Sequence, residues 1–337
     1  GYEALSVDSA PAAEPPFQEM ALVEKEYPIM ESEPEEGNTY LSYNVSLGEN
    51  LDRKVSVGFQ ALADAVVGAP GAPVRKALLD AGIGTDISSF YEADVKQPYF
   101  SIVAKNAEGD QREAFVRLIE QTLQSLFEDG VEKKALRAAL NHDEFRYREA
   151  DYGSYPKGLM YGLQMFETWL YDDGRPFDYL ELDGTYKALK GEVSMLRDLL
   201  MENTHKSVVV VRPVRGLTGK RDKALAARLA AKKASMTQEE IAGIVAETKA
   251  LADYQEEPDR EEDLEKIPLL AREDIGKKAR PYCNEELRVN DTTLLYHEIY
   301  TNGIGYLRFL FDLRQVPEEL FPYVGLLQAM LGLVDTE

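Results

Sequence analysis

His142 in NHDEF, His205 in NTHKS and His297 in YHEIY are the only three histidines of the 337-residue chain. Zinc hydrolysis asks for two imidazoles one helical turn apart with a carboxylate beside them. Both rings can then meet one ion while the carboxylate takes a proton from the metal-bound water. HEIYT (297–301) supplies His297 and Glu298, then sets Thr301 where the second ligand belongs. Neither His142 nor His205 has a second histidine at ligand spacing, so no residue reads as a catalytic group or a metal ligand. Cys283 is the one cysteine. It excludes an internal disulfide and any multi-cysteine metal site. Together with the lack of a signal-peptide pattern it leads us to expect a cytoplasmic protein.

A second stretch could touch a ligand without doing chemistry. From Phe145 to Tyr171 there are eight aromatic residues, among them the single Trp169. Two readings stand. In one, a helix–turn–helix corner buries an aromatic core. Ser154 caps the second helix, Leu159, Leu163, Phe166 and Leu170 form its inner face, and Gly158 and Gly162 admit a neighbouring backbone. In the other, the aromatics wall a site for an extended peptide. Tyr152 and Tyr155, flanking the Gly153 turn, are then the candidate substrate contacts. The core reading is the expected one, with Trp169 buried. Nucleic acid is excluded as a partner by the formal charge of −22, which repels phosphates and anionic lipid alike and favours cationic partners. No apolar run approaches the ~20 residues of a membrane span, so no membrane partner is expected.

The elements that must position these residues follow from periodicity. Residues 1–36 hold ten Asp/Glu, one Lys and five Pro, an extended acidic connector. TYLSYNVSL (39–47) alternates as a strand, and Leu51–Val67 reads as a helix. Pro73 opens another helix that stops at Gly82. Strands DISSFYEA and YFSIVAK (99–105) pair around DVKQP. Asp110 with Glu113 suggests a capping box ahead of a helix faced by Phe115, Leu118, Ile119, Leu123 and Leu126, ending at Gly130. A further helix covers 131–150, a short one covers 195–202, and KSVVVVRP (206–213) is a buried strand. Residues 215–233 are basic and 253–274 acidic, on two helices joined at KASMT with a Thr237–Glu240 capping box.

YLSYNVSL (40–47) and YLRFLFDL (306–313) then match in kind at five positions. Each precedes an apolar, glycine-containing helix, so a second copy of the strand–helix opening is expected to begin there. LLYHEIY and YLRFLF are expected to pair around Asn302-Gly303.

At this point PGAPVRKALLDAGIG, EFRYREADYGSYPKGLMYGLQMFETWLYDD, NTHKSVVVVRP, YQEEPD, KIPLLAREDIG and TNGIGYLRFLFDL together resemble the pitrilysin-like (insulinase family, M16) zinc peptidases. The branch is subfamily C, the presequence-protease and falcilysin type. The resemblance implies an α+β fold, an antiparallel sheet packed with helices as in the mitochondrial-processing-peptidase type of metallohydrolase domain. Residues 1–37 would lead out of a first domain, 38–214 form a second, non-catalytic one, 215–277 make a helical hairpin linker, and 278–337 begin a third. It implies a zinc-dependent endopeptidase that degrades unfolded peptides in a chamber shared with the remaining domains of the same polypeptide. This chain would supply wall and hinge, with Arg215, Gly216 and Gly276 as hinge candidates. The alternative is a non-catalytic structural or interaction subunit of the same fold. The family's inverted motif, His-x-x-Glu-His, is absent from this sequence. The chain alone is therefore expected to bind no zinc and to be inactive.

Overall fold

A computed structural model describes residues 4–8, 10–69, 71–128, 133–191, 194–279 and 281–331. The chain divides into two compact units, Gly1–Tyr282 and Cys283–Glu337.

The first unit is built on a five-stranded sheet: β1 (Ala21–Ile29), β2 (Thr39–Ser46), β3 (Asp86–Glu92), β4 (Tyr99–Ala107) and β5 (Lys206–Arg215), in the order β1-β5-β2-β4-β3. Alternation selects the faces. Leu41, Tyr43 and Val45 of β2, Phe100, Ile102 and Ala104 of β4 and Val208 and Val210 of β5 are all buried on one side. Tyr40, Ser42, Asn44 and Ser46 point to the other side and stay part-exposed. There Asn44 Oδ1 accepts from Ser101 Oγ at 2.5 Å and Ser42 Oγ at 2.7 Å, tying β2 to β4 in a neutral polar seam.

Helices cover the apolar face. α1 (Arg53–Ala63) is capped by Asp52, whose carboxylate accepts from the Lys54 and Val55 amides. It runs into a turn of π-helix at Asp64–Gly68. α2 (Pro73–Asp80) and α3 (Arg112–Glu128) follow. Phe59, Leu62, Val74, Leu78, Phe115 and Ile119 meet the sheet. α1 is buried on its far side too. Val57, Ala61 and Ala65 pack on Leu136 and Leu140 of α4 (Lys133–Glu149) and on Tyr186 of α6 (Asp183–Leu189); between these helices in sequence lies α5 (Lys157–Trp169). α7 (Ser194–Met201) adds Leu200 to the main core. The sandwiched α1 explains the apolar stretch Arg53–Asp80. By length and composition it could cross a membrane, but its most apolar 18 residues are 71% buried inside the protein.

Two local readings change. The box at the start of α3 is made by Glu108 and Gln111, upstream of Asp110 and Glu113, with the Glu108 amide donating to Gln111 Oε1 at 3.0 Å. Gly130 lies outside the described residues. Within the connector, residues 21–29 form a strand. β1 pairs in parallel along the length of β5, although none of its side chains is buried. Ala21, Val23, Tyr27 and Ile29 share one half-buried face interrupted by Lys25, while Glu24 and Glu26 lie on the other, and the acidic surroundings hide this short alternation.

Gly216, with φ +67°, turns the chain from β5 into α8 (Leu217–Ala234), and α9 (Gln238–Glu256) starts at the expected Thr237–Glu240 box. A single turn, α10 (Glu261–Leu264), follows.

In the second unit β6 (Glu285–Val289) and β7 (Thr292–Tyr296) form a hairpin around Asn290, and α11 (Phe321–Met330) is the expected apolar helix. The expected pairing of LLYHEIY with YLRFLF does not form. Leu294–Tyr296 is already taken by β6, and His297 leaves the ladder with Nδ1 3.0 Å from the Cys283 carbonyl. Asn302 (φ +54°) and Gly303 (φ +82°) keep the turn geometry, but 306–313 carries no ladder, unlike its counterpart β2.

Candidate peptide-contacting surface

The chain turns between α4 and α5 with Ala150 at φ +46° and Gly153 at φ +61°. Asp151 Oδ1 receives the Gly153 amide at 2.9 Å, an Asx-type turn that needs no Ser154. α5 then begins at an uncapped Pro156, so the predicted Ser154 cap does not form.

The predicted aromatic core is overturned. Leu159, Leu163, Phe166, Trp169 and Leu170 are all exposed, Trp169 by 42% and Leu170 by 67%. Phe166 and Trp169 stack nearly parallel, ring centres 5.8 Å apart. No atom lies within 4 Å of where a Cβ on Gly158 or Gly162 would be. The periodicity is a true signal of an apolar face; what it cannot reveal is which surface meets that face. The aromatics beneath belong to other elements: Tyr179 and Tyr186 are buried, with Tyr147 against Tyr186 at 5.7 Å.

The two candidate tyrosines separate. Tyr152 is half-buried, its hydroxyl accepts from Gln164 Nε2 at 3.2 Å, and its ring meets Tyr161 edge-on. Burial pushes its phenol up from the ordinary value. Tyr155 is 65% exposed and free to meet a ligand.

Two carboxyls near this region carry no sequence signal beyond apolar neighbours. Glu167 of α5 is raised to about 7 by burial, with Asp94 adding to it. Asp143 of α4 has an oxygen buried without a partner and is raised to about 6, first by burial and then by Asp64 in the π-turn. Glu144, by contrast, is lowered first by its bond from Lys190 and also by Arg148. For Asp143 the folded value lies above the ordinary 3.8. The stabilising contribution of its proton is therefore full below that value and lost as pH rises through about 6. Asp143→Asn should raise stability at pH 8 by about 1–2 kcal/mol, discounted for solvent screening, and leave it nearly unchanged at pH 4. Urea midpoints at the two pH values measure this.

At the hinge candidates, the Arg215 amide donates to Glu35 Oε1 at 3.0 Å and its Nε to the Glu33 carbonyl at 2.7 Å. Arg221 of α8 donates to the Glu26 carbonyl of β1 at 3.1 Å. Gly216 has Glu31 Oε1 at 3.0 Å from its would-be Cβ, whereas the nearest atom at Gly276 is 3.9 Å away.

Among the described residues no three His, Cys, Asp or Glu side chains converge on a point that could hold a metal. His205 instead packs edge-on against Phe17, ring centres 4.5 Å apart.

Comparison with known proteins completes the picture. The family described as associated with peptidases of the M16 family, subfamily C, matches residues 211–337. Protein HypA of Clostridium perfringens is 36% identical over 342 residues, covering 100% of this chain and 35% of its own length. Presequence protease 1, chloroplastic/mitochondrial, of Arabidopsis thaliana is 30% identical over 322 residues, covering 92% of this chain and 30% of its own. The chain thus spans about a third of the length of these relatives. Among solved structures, a protease from Helicobacter pylori aligns with a TM-score of 0.44 at 13% identity, over 62% of this chain and 48% of that one. A peptidase M16 inactive domain from Pseudomonas fluorescens aligns with a TM-score of 0.40 at 10% identity, over 58% and 44%. Matches to a presequence protease and to HypA over nearly the whole sequence, and a family match over its C-terminal part, support a pitrilysin-like M16 peptidase relative of subfamily C.

Proposed function

We propose that this chain is the central part of a zinc metalloendopeptidase that degrades unfolded peptides in an enclosed chamber. It supplies wall and hairpin linker, while zinc and the water-activating carboxylate belong to residues outside it. The observation that carries the reading is the open apolar face of α5, extended by Tyr155 at its start. A face of exposed Leu, Phe and Trp on a chain of net charge −22 suits a cationic, amphipathic unfolded peptide. The chain's own groups would hold the substrate and leave bond cleavage to the metal. Of the hinge candidates, Gly276 is the one with no neighbour crowding a would-be Cβ, and the Arg215–Gly216 joint is tethered to Glu33 and Glu35.

The test is a double substitution, Phe166→Ala with Trp169→Ala, in the complete polypeptide. Both side chains are about half exposed, so stability should change by ~1 kcal/mol or less. The KM for cationic peptides of ~30 residues should rise about tenfold, as expected for two aromatic anchors, with that for short peptides unchanged. Equal KM values for wild type and variant on long peptides would remove the α5 face from the substrate path. A complete polypeptide without peptidase activity would favour the interaction-subunit alternative.

A further inference from the structure

Residues 10–16 of the acidic connector are exposed, and side-chain packing does not hold them. The Glu14 amide donates to Gln97 Oε1 at 2.6 Å, and Gln97 Nε2 donates back to the Glu14 carbonyl at 3.0 Å. Lys96 Nζ donates to the Pro11 carbonyl at 2.7 Å. The Gln97 amide thus stands where the peptide group of a neighbouring strand would, and every connector atom that it and Lys96 engage is main chain. Three residues past Glu14 comes the one side chain that takes part. Phe17 is half-buried, and its ring meets that of His205 edge-on, ring centres 4.5 Å apart.

The receiving groups are fixed to the body. Lys96 and Gln97 lie on the β3–β4 loop, residues 93–98, where the Asn50 amide donates to the Lys96 carbonyl at 3.1 Å and the Leu47 amide to the Pro98 carbonyl at 2.8 Å. The Ser46 amide, next along β2, donates to the His205 carbonyl at 3.0 Å. The end of β2 therefore sets the loop and His205 relative to each other. The connector has no such support: three exposed hydrogen bonds and one ring contact are a hold that opens readily. Tyr171, just past α5, donates to the Asp94 carbonyl of the same loop at 3.4 Å, so the loop also adjoins the end of the α5 face.

We infer that Lys96, Gln97 and His205 form a docking site for an extended polypeptide, read through its main chain and through an aromatic residue three positions after the anchored one, and that residues 11–17 are a strap that fills this site and yields it to a guest. The identity of the guest, an unfolded peptide, rests on the function proposed above; the site is tested by binding alone, so the α5 face can fail without it.

The probe is a labelled peptide of the strap's own sequence, DSAPAAEPPFQE (8–19), added to the 337-residue chain. Tethering gives the strap a high local concentration, so the free peptide should bind weakly while the strap is in place. Glu14→Pro with Phe17→Ala in the chain removes the strap's donor and its ring and leaves the dock untouched; peptide affinity should then rise about tenfold. Adding Gln97→Ala should cancel that gain, as should N-methylation of the peptide at the nitrogen matching Glu14. A peptide of unrelated sequence that keeps only the phenylalanine should bind the strap variant as the strap peptide does. In the wild-type chain, excess peptide should quicken amide exchange at Glu14 and Phe17 as the strap is displaced. Equal affinity for wild type and strap variant, or a gain that survives Gln97→Ala or N-methylation, would overturn the dock. Failure of the unrelated peptide would overturn its reading of the main chain, and unchanged exchange under saturating peptide would overturn the strap.

Discussion

Phe59→Ala is expected to remove about 3–5 kcal/mol of stability from the first unit. Phe59 is 0% exposed and lies where the sheet meets α1, with its ring centre 6.2 Å from that of Tyr91 and 6.3 Å from that of Phe100. α1 is packed on both sides, so no element can slide inward to fill the hole, and the cavity term is felt nearly in full. The loss should appear as a lower urea midpoint with unchanged slope. Trp169→Ala in the same assay is the contrast, because that ring gives up little burial. If the two variants lose equal stability, the division between a packed core and an open α5 face is wrong.

Gly84→Ala should be the next most damaging single change, at about 2–4 kcal/mol. Two effects add. Gly84 has φ +72°, a region costing an L-residue about 1–2 kcal/mol. A Cβ there would also stand 2.7 Å from the Lys105 carbonyl oxygen, which is backbone and cannot swing away. That oxygen already accepts the Thr85 amide at 2.9 Å, so retreat would undo the first rung between β3 and β4. Gly153→Ala isolates the first effect, since Gly153 has φ +61° with nothing within 4 Å. Equal losses in the two variants would show that β4 yields and the clash costs nothing.

Elements whose own side chains specify their partners were legible in the sequence. β2 alternates cleanly, the Val run of β5 reads as a strand, α3 shows one face, and Thr237 with Glu240 caps α9 as read. What failed depends on neighbours that a pattern does not name. β1 is held by backbone bonds to β5 and buries no side chain fully, and it lies inside the acidic segment 1–36 that reads as a connector. Residues 306–313 alternate as well as β2 does, yet alternation cannot supply a strand to pair with. The α5 stretch is recognisable as apolar and aromatic, yet its assignment to the interior fails. A one-sided helix looks the same whether its stripe faces a core or is left open. Tyr155 sits where a side chain can reach out, and it does; Tyr152 beside it is held by Gln164. Glu167 and Asp143 leave no mark in the sequence because a raised carboxyl is a property of surroundings assembled from distant segments.

The parallel pairing of β1 with β5 also sets the order in which the chain can assemble. Ala21 lies against Ser207, and β5 separates β1 from β2, so neither the first strand nor the inner edge of the second has a partner until the last strand arrives. During synthesis β2, β3 and β4 with α1 to α3 can condense, while β1 waits as a tethered, acidic strand. Closing so long a loop costs only about 0.6 kcal/mol for each doubling of its length, so the final state loses little to the topology. The rate suffers more, because non-local pairing is slow and an open β2 edge invites mispairing in the interval. The unburied, Glu-bearing sequence of β1 keeps that waiting strand from finding a wrong partner first.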